Sequence, residues 1–160
     1  MLTAMTTITT AETFAFMGEV VAVRLPAERT GGAVSVLEHL APHGLATPLH
    51  VQPNEDEAFY LLEGRITVYL DGELFEAGAG EVVYLPRGVP HAFRVDSEQA
   101  RIIALSVPGH HEQFFRLAGD PVDAFDLAEA ATPEPPDFGR LAAAAAESGF
   151  ELLGPPPFEA

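Results

Sequence analysis

The sequence predicts an all-β domain, a sandwich or barrel of short strands, on three observations. Runs rich in Val, Ile, Leu and aromatic residues recur between residues 33 and 107. Gly and Pro separate them at almost every step. One separator, Asp71-Gly72, is a dipeptide favoured in two-residue hairpin turns. The runs are 33–40 (AVSVLEHL), 57–62 (EAFYLL), 65–70 (RITVYL), 81–85 (EVVYL), 91–95 (HAFRV) and 101–107 (RIIALSV). The breaks fall at Pro53-Asn54, Gly64, Asp71-Gly72, Gly78 to Gly80, Pro86 to Pro90 and Pro108-Gly109. Side chains two apart on a strand share a face. If Glu57 points inward, Phe59 and Leu61 follow it, and His91 brings Phe93 and Val95. By the same rule His50 carries Gln52. The expected product is a polar site at one end of an apolar barrel.

The pattern changes after Val107. Residues 109–119 (GHHEQFFRLAG) put Phe114, Phe115 and Leu117 near helical spacing, and Gly119 with Pro121 ends the run. Residues 122–137 are acidic and aperiodic, as a surface connection would be. Residues 138–149 (FGRLAAAAAESG) predict a helix, because Ala has the highest helix propensity and Gly149 is a suitable stop. Phe150, Leu152 and Leu153 then precede Gly154 and three prolines. The organisation read from this is one domain, with residues 1–108 a β-barrel and 109–160 a C-terminal helical extension packed on it. A lid over the barrel mouth is the alternative role for the extension.

Composition excludes several classes. The 160 residues suit one core, and 48% hydrophobic content marks a globular chain. Cysteine is absent, so disulfides, thiolate ligands and cysteine catalysis are excluded. The formal charge of −16 argues against nucleic acid and anionic membrane as partners, since basic patches bind both. The start, MLTAMTTITT, has neither the basic region nor the apolar core of a signal peptide, and no run is long enough to span a bilayer. A cytoplasmic protein is expected by elimination.

Chemistry concentrates in two segments. Gly44 to Gly64 (GLATPLHVQPNEDEAFYLLEG) carries His50 and Glu57 in a strand-loop-strand setting, and Gly80 to His91 (GEVVYLPRGVPH) supplies His91 after a turn. Two His and one carboxylate on neighbouring strands form the facial set that holds Fe(II) or a similar divalent ion with open positions. Other polar residues have plainer readings. Glu55 reads as a solvated loop carboxylate, His43 as an exposed turn residue, and His110 and His111 as ordinary surface residues. His39 is a candidate for the barrel interior, while Tyr60 and Tyr69 read as packing residues.

The spacing of these residues resembles the cupin superfamily. Gly44, His50, Glu57 and Gly64 match its first motif, and Gly80, Pro86, Gly88 and His91 match its second. Gln52 stands where a second His is expected, and Val95 where an Asn is expected. The resemblance implies a double-stranded β-helix, or jelly-roll barrel, and a homodimer paired through its sheets. Within the superfamily the chain looks most like small quercetin 2,3-dioxygenase-like cupins, on EDEAFYLLEG, PRGVPHAFRV and the closing FELLGPPP. That resemblance maps His50, Gln52, Glu57 and His91 onto the metal site. The ion is one divalent metal, with Fe, Ni, Mn, Co and Zn all open. Glu57 would double as the base that takes a proton from an enol or flavonol hydroxyl. Gln52 is a weak fourth ligand, a partner for bound water or substrate, or a filler of space.

Three functions follow as expectations. The first is a metal-dependent dioxygenase acting on a small apolar or aromatic, enol-like substrate. The second is an isomerase, cyclase or lyase that uses the ion as a Lewis acid. The third is a metal-free protein that binds a small apolar ligand. Fold alone does not choose among them. Oxygen uptake separates the first from the second, and metal content separates both from the third.

Overall fold

Residues 7–8, 11–130 and 137–159 are described in the computed structural model, and among them twelve strands, two α-helices and two short 3-10 turns are present. The strands are β1 (Thr13–Phe16), β2 (Glu19–Leu25), β3 (Ser35–Pro42), β4 (Leu49–Val51), β5 (Asp56–Glu63) and β6 (Arg65–Leu70). Then come β7 (Glu73–Gly78), β8 (Val82–Leu85), β9 (His91–Val95), β10 (Gln99–Val107), β11 (Asp120–Pro121) and β12 (Glu151–Gly154). The helices are α1 (Glu112–Ala118) and α2 (Phe138–Ser148). One antiparallel sheet runs β11-β1-β2-β3-β10-β5-β8, and the other runs β12-β4-β9-β6-β7. The jelly-roll barrel expected from the sequence is therefore the observed fold. No helix among the described residues is long and apolar enough to cross a membrane.

Alternation builds the barrel. In β5, Glu57, Phe59 and Leu61 are buried while Tyr60 between them is 41% exposed. The core gathers Val21, Leu37, Leu61, Ile66, Leu85 and Ile102 from both sheets. Gly64, with φ of 82°, joins β5 to β6. A Cβ there would run into the carbonyl oxygen of Gln99, so both the backbone and the space require glycine. Asp71 and Gly72 (φ 48° and 89°) form the turn between β6 and β7 that the dipeptide predicts.

The C-terminal part contributes side chains to the core. The two predicted helices are present, and Gly149 caps α2 in the left-handed region at φ 78°. Phe114, Phe115, Leu141, Ala144, Ala145 and Phe150 are all part of the core. Leu152 of β12 pairs with His50 of β4, so the extension completes the second sheet beside a motif residue. Part of the acidic connection, residues 131–136, lies outside the described residues, as do residues 1–6 and 9–10 of the opening segment.

Candidate functional site

The strands deliver His50, Glu57 and His91 to one cavity. His50 and His91 are directly opposed partners on β4 and β9, and their rings lie 4.4 Å apart. Glu57 comes from the facing sheet, where β5 sits between β10 and β8. Its Oε2 lies 3.6 Å from Nε2 of His91. All three line a cavity of about 70 Å³, space for a handful of water molecules. The rest of the wall is largely aromatic: Phe59 and Phe93 from the barrel, Phe16 from β1, and Phe114, Phe115 and Phe150 from the extension.

Backbone carbonyls set the tautomer of both motif histidines. Nδ1 of His50 is 2.7 Å from the carbonyl oxygen of Pro48, and Nδ1 of His91 is 3.0 Å from that of Val89. A carbonyl only accepts, so each Nδ1 carries the proton and each neutral ring offers an Nε2 lone pair. Nε2 of His91 is buried with no hydrogen-bond partner among the described residues. Burial, followed by the neighbouring His91, pushes the His50 pKa down to about 4, so this ring is neutral at ordinary pH. Burial alone would raise Glu57. The surrounding imidazoles of His111, His91 and His50 outweigh it and lower the carboxyl to about 2. Nε2 lone pairs from His50 and His91 together with the Glu57 carboxylate are a donor set that suits a divalent ion. Among the described residues no three such side chains converge on a common point.

Gln52 does not line the cavity with His50. Strand β4 ends at Val51, and beyond it parity no longer fixes direction. The Gln52 side chain is 1% exposed, and its Nε2 lies 2.8 Å from Nδ1 of His111 and 3.1 Å from Oε1 of Glu55. An amide NH2 only donates, so His111 accepts at Nδ1 and carries its proton on Nε2, 4.0 Å from Oε1 of Glu57. The resulting chain runs Glu55, Gln52, His111, Glu57.

Two sequence readings are corrected here. Glu55 is 2% exposed rather than solvated, because Gln52 gives its carboxylate a buried donor. His111 is 7% exposed rather than a surface residue, stacked at 5.1 Å on Phe150, while its neighbour His110 is exposed as expected. Helical phase carried the signal: His111 lies three and four residues before Phe114 and Phe115, the apolar face of α1. The hairpin of β1 and β2, with Glu19 on the cavity wall, was also missed. Its signal was the alternating runs TFAF and EVVAVRL around Met17-Gly18. His39 lies in the interior and His43 in an exposed turn, as read.

The family model for the cupin domain matches residues 36–108. Over 144 residues the chain is 31% identical to polyketide synthase CurC of Streptomyces cyaneus, spanning 84% of this chain and 81% of that protein. The chain belongs to the cupin superfamily. It is also 32% identical over 96 residues to quercetin 2,3-dioxygenase of Bacillus subtilis (strain 168), covering 60% of this chain and only 28% of that protein. Among solved structures, the polyketide cyclase RemF from Streptomyces resistomycificus superposes with a TM-score of 0.53 at 21% identity, covering 67% of this chain and 80% of that one. That likeness is one of fold.

Proposed function

We propose that the protein is a metal-dependent cupin enzyme that enolises and cyclises a flat, polyketide-like ketone. The carrying observation is the roof of the cavity. The extension sets Phe114, Phe115, Leu141 and Phe150 over the motif residues, so the polar floor lies under an aromatic, water-poor wall. The similarity to polyketide synthase CurC covers 84% of the chain, which supports a substrate of that class.

His50, Glu57 and His91 would hold the ion, with His111 directing its Nε2–H at Glu57 and Gln52 behind it. A divalent ion there supplies Lewis-acid polarisation of a ketone oxygen. The aromatic pairs, such as Phe59 and Phe93 edge to face at 5.4 Å, grip a flat ring and keep water from the enolate. Glu57 keeps its charge across the working pH range, which fits an anionic ligand better than a proton acceptor. Gln52 supports the site rather than serving as a fourth ligand.

A dioxygenase acting on the same enolate is the second reading. The 96-residue match to quercetin 2,3-dioxygenase and the two-His, one-carboxylate donor set favour it. Incubating iron-loaded and zinc-loaded protein with a poly-β-ketone separates the two. Ring closure by both forms without oxygen uptake supports cyclisation. Oxygen consumption that needs iron makes the protein an oxygenase.

We also propose a homodimer through the outer face of β5 and β8. Tyr60, Val82 and Tyr84 are 41%, 66% and 58% exposed there, and β8 is a sheet edge with backbone groups unpaired. Sedimentation of Tyr84→Asp should show monomer where the parent shows dimer. A monomeric parent at micromolar concentration would remove this proposal.

A further inference from the structure

A fourth imidazole, beside those of His50, His91 and His111, reaches the cavity from outside the motif segments. His39 lies within β3, 5% exposed, and lines the wall together with Glu19, which is 3% exposed. The Met17-Gly18 turn puts Glu19 at the first position of β2, opposite Phe16. Its Oε2 lies 3.0 Å from Nδ1 of His39. A carboxylate accepts, so the Nδ1 proton is held there and the other nitrogen, Nε2, is free to take or give a proton. That Nε2 is buried and has no hydrogen-bond partner among the described residues. The ring is braced edge-on against Phe115 of α1 at 5.5 Å. An ion pair that served packing alone would leave this atom desolvated without compensation.

We propose that His39 carries the proton in this cavity and that Glu19 is its positioning residue, an inference that rests on the enolising reading above. Nε2 takes the proton from the carbon beside the ketone, and the C–H electron pair moves into the enolate. The enolate carbon then bonds to a second carbonyl carbon, whose C=O π pair moves to its oxygen. The imidazolium returns the same proton to that oxygen. No electrons are gained or lost, and no co-reactant is required. Two other observations agree with this role. Burial would lower the His39 pKa, but the charge and hydrogen bond of Glu19, with Glu57 and Glu38 further off, raise it overall. Of these carboxylates, Glu38 is paired with Arg24 and Arg101, which leaves Glu19 as the direct partner.

The test uses zinc-loaded full-length protein and α-tetralone in D2O, following deuterium uptake beside the ketone by proton NMR. The parent should accelerate uptake. His39→Gln should lower the rate by at least about a hundredfold, the usual scale of a lost general base, with zinc content and melting temperature kept. Glu19→Gln retains an oxygen acceptor for Nδ1–H, so it tests the pair even if the His39 variant folds poorly. It should slow exchange and move the acid limb of the pH–rate profile to lower pH, since the charge that holds the proton is gone. Exchange within about threefold of the parent in His39→Gln overturns the inference and leaves the enolising reading standing. Loss of zinc in that variant overturns it too, because His39 would then belong to the ion. An acid limb unmoved in Glu19→Gln makes the pair structural. A parent that does not catalyse exchange sinks both the enolising reading and the inference.

Discussion

Two kinds of histidine meet in one cavity, and the partner of Nδ1 distinguishes them. His50 and His91 are tied to the carbonyls of Pro48 and Val89, whereas His39 is tied to the carboxylate of Glu19. A carbonyl fixes the tautomer without adding charge, so the ring stays a neutral lone-pair donor. A carboxylate stabilises the imidazolium as well, so the ring becomes a proton carrier. On the roles proposed above, what lies behind the ring divides the same side chain between metal and proton. The pKa directions follow this division, with His50 lowered and His39 raised.

The largest effect that could break this division is on metal affinity. His91→Ala should weaken binding of zinc by at least about a thousandfold, about 4 kcal/mol, whereas His39→Gln should leave it unchanged. Competitive titration with a chromogenic chelator measures both. Equal losses in the two variants would erase the distinction.

Acid stability of chelator-treated protein should divide the same way. His50 is held at about 4 when folded, against about 6.5 unfolded. As pH falls through 6.5 the unfolded chain takes up a proton that the folded chain refuses, so stability drops until pH reaches about 4. The full cost is about 3 kcal/mol. His39 has the opposite sign: its raised pKa contributes stability below the unfolded value, lost as pH rises through the folded one. Urea unfolding between pH 4 and 7 should show the acid loss shrink in His50→Gln, and a loss of the same size would contradict a neutral buried ring.

Smaller effects concern the support behind Glu57. His111→Ala should weaken zinc binding about tenfold, about 1.4 kcal/mol, as removal of a polar group behind a ligand does. Gln52→Ala should cost less, about threefold, because His111 keeps its place against Phe150. If Gln52→Ala loses metal altogether while His111→Ala does not, Gln52 is itself a ligand.

The legible parts of the molecule were those where alternation and punctuation coincide. Strands β6 and β9 have the same bounds in sequence and structure, since Gly64, Asp71-Gly72 and Pro90 delimit them. Strand β7 was implied only by the Asp71-Gly72 turn, because its ELFEAG sequence is exposed and carries little strand preference. Strand β12 takes its conformation from pairing with β4, a long-range contact that local sequence does not announce. Within the site, His50, Glu57 and His91 were readable from motif spacing. Gln52, Glu55 and His111 were not, because their directions depend on a strand end and a helix phase meeting in space.

The β12–β4 pairing also orders events in time. Strand β4 carries His50 but acquires its outer neighbour only when Gly154 has been made. At about 5–20 residues per second, roughly 5–20 s of translation separate the two. Throughout that interval the nascent chain displays an unpaired strand edge and a histidine with no roof. A ribosome stalled before β12 would hold His50, Glu57 and His91 in a chain that has not yet gained the strand beside His50.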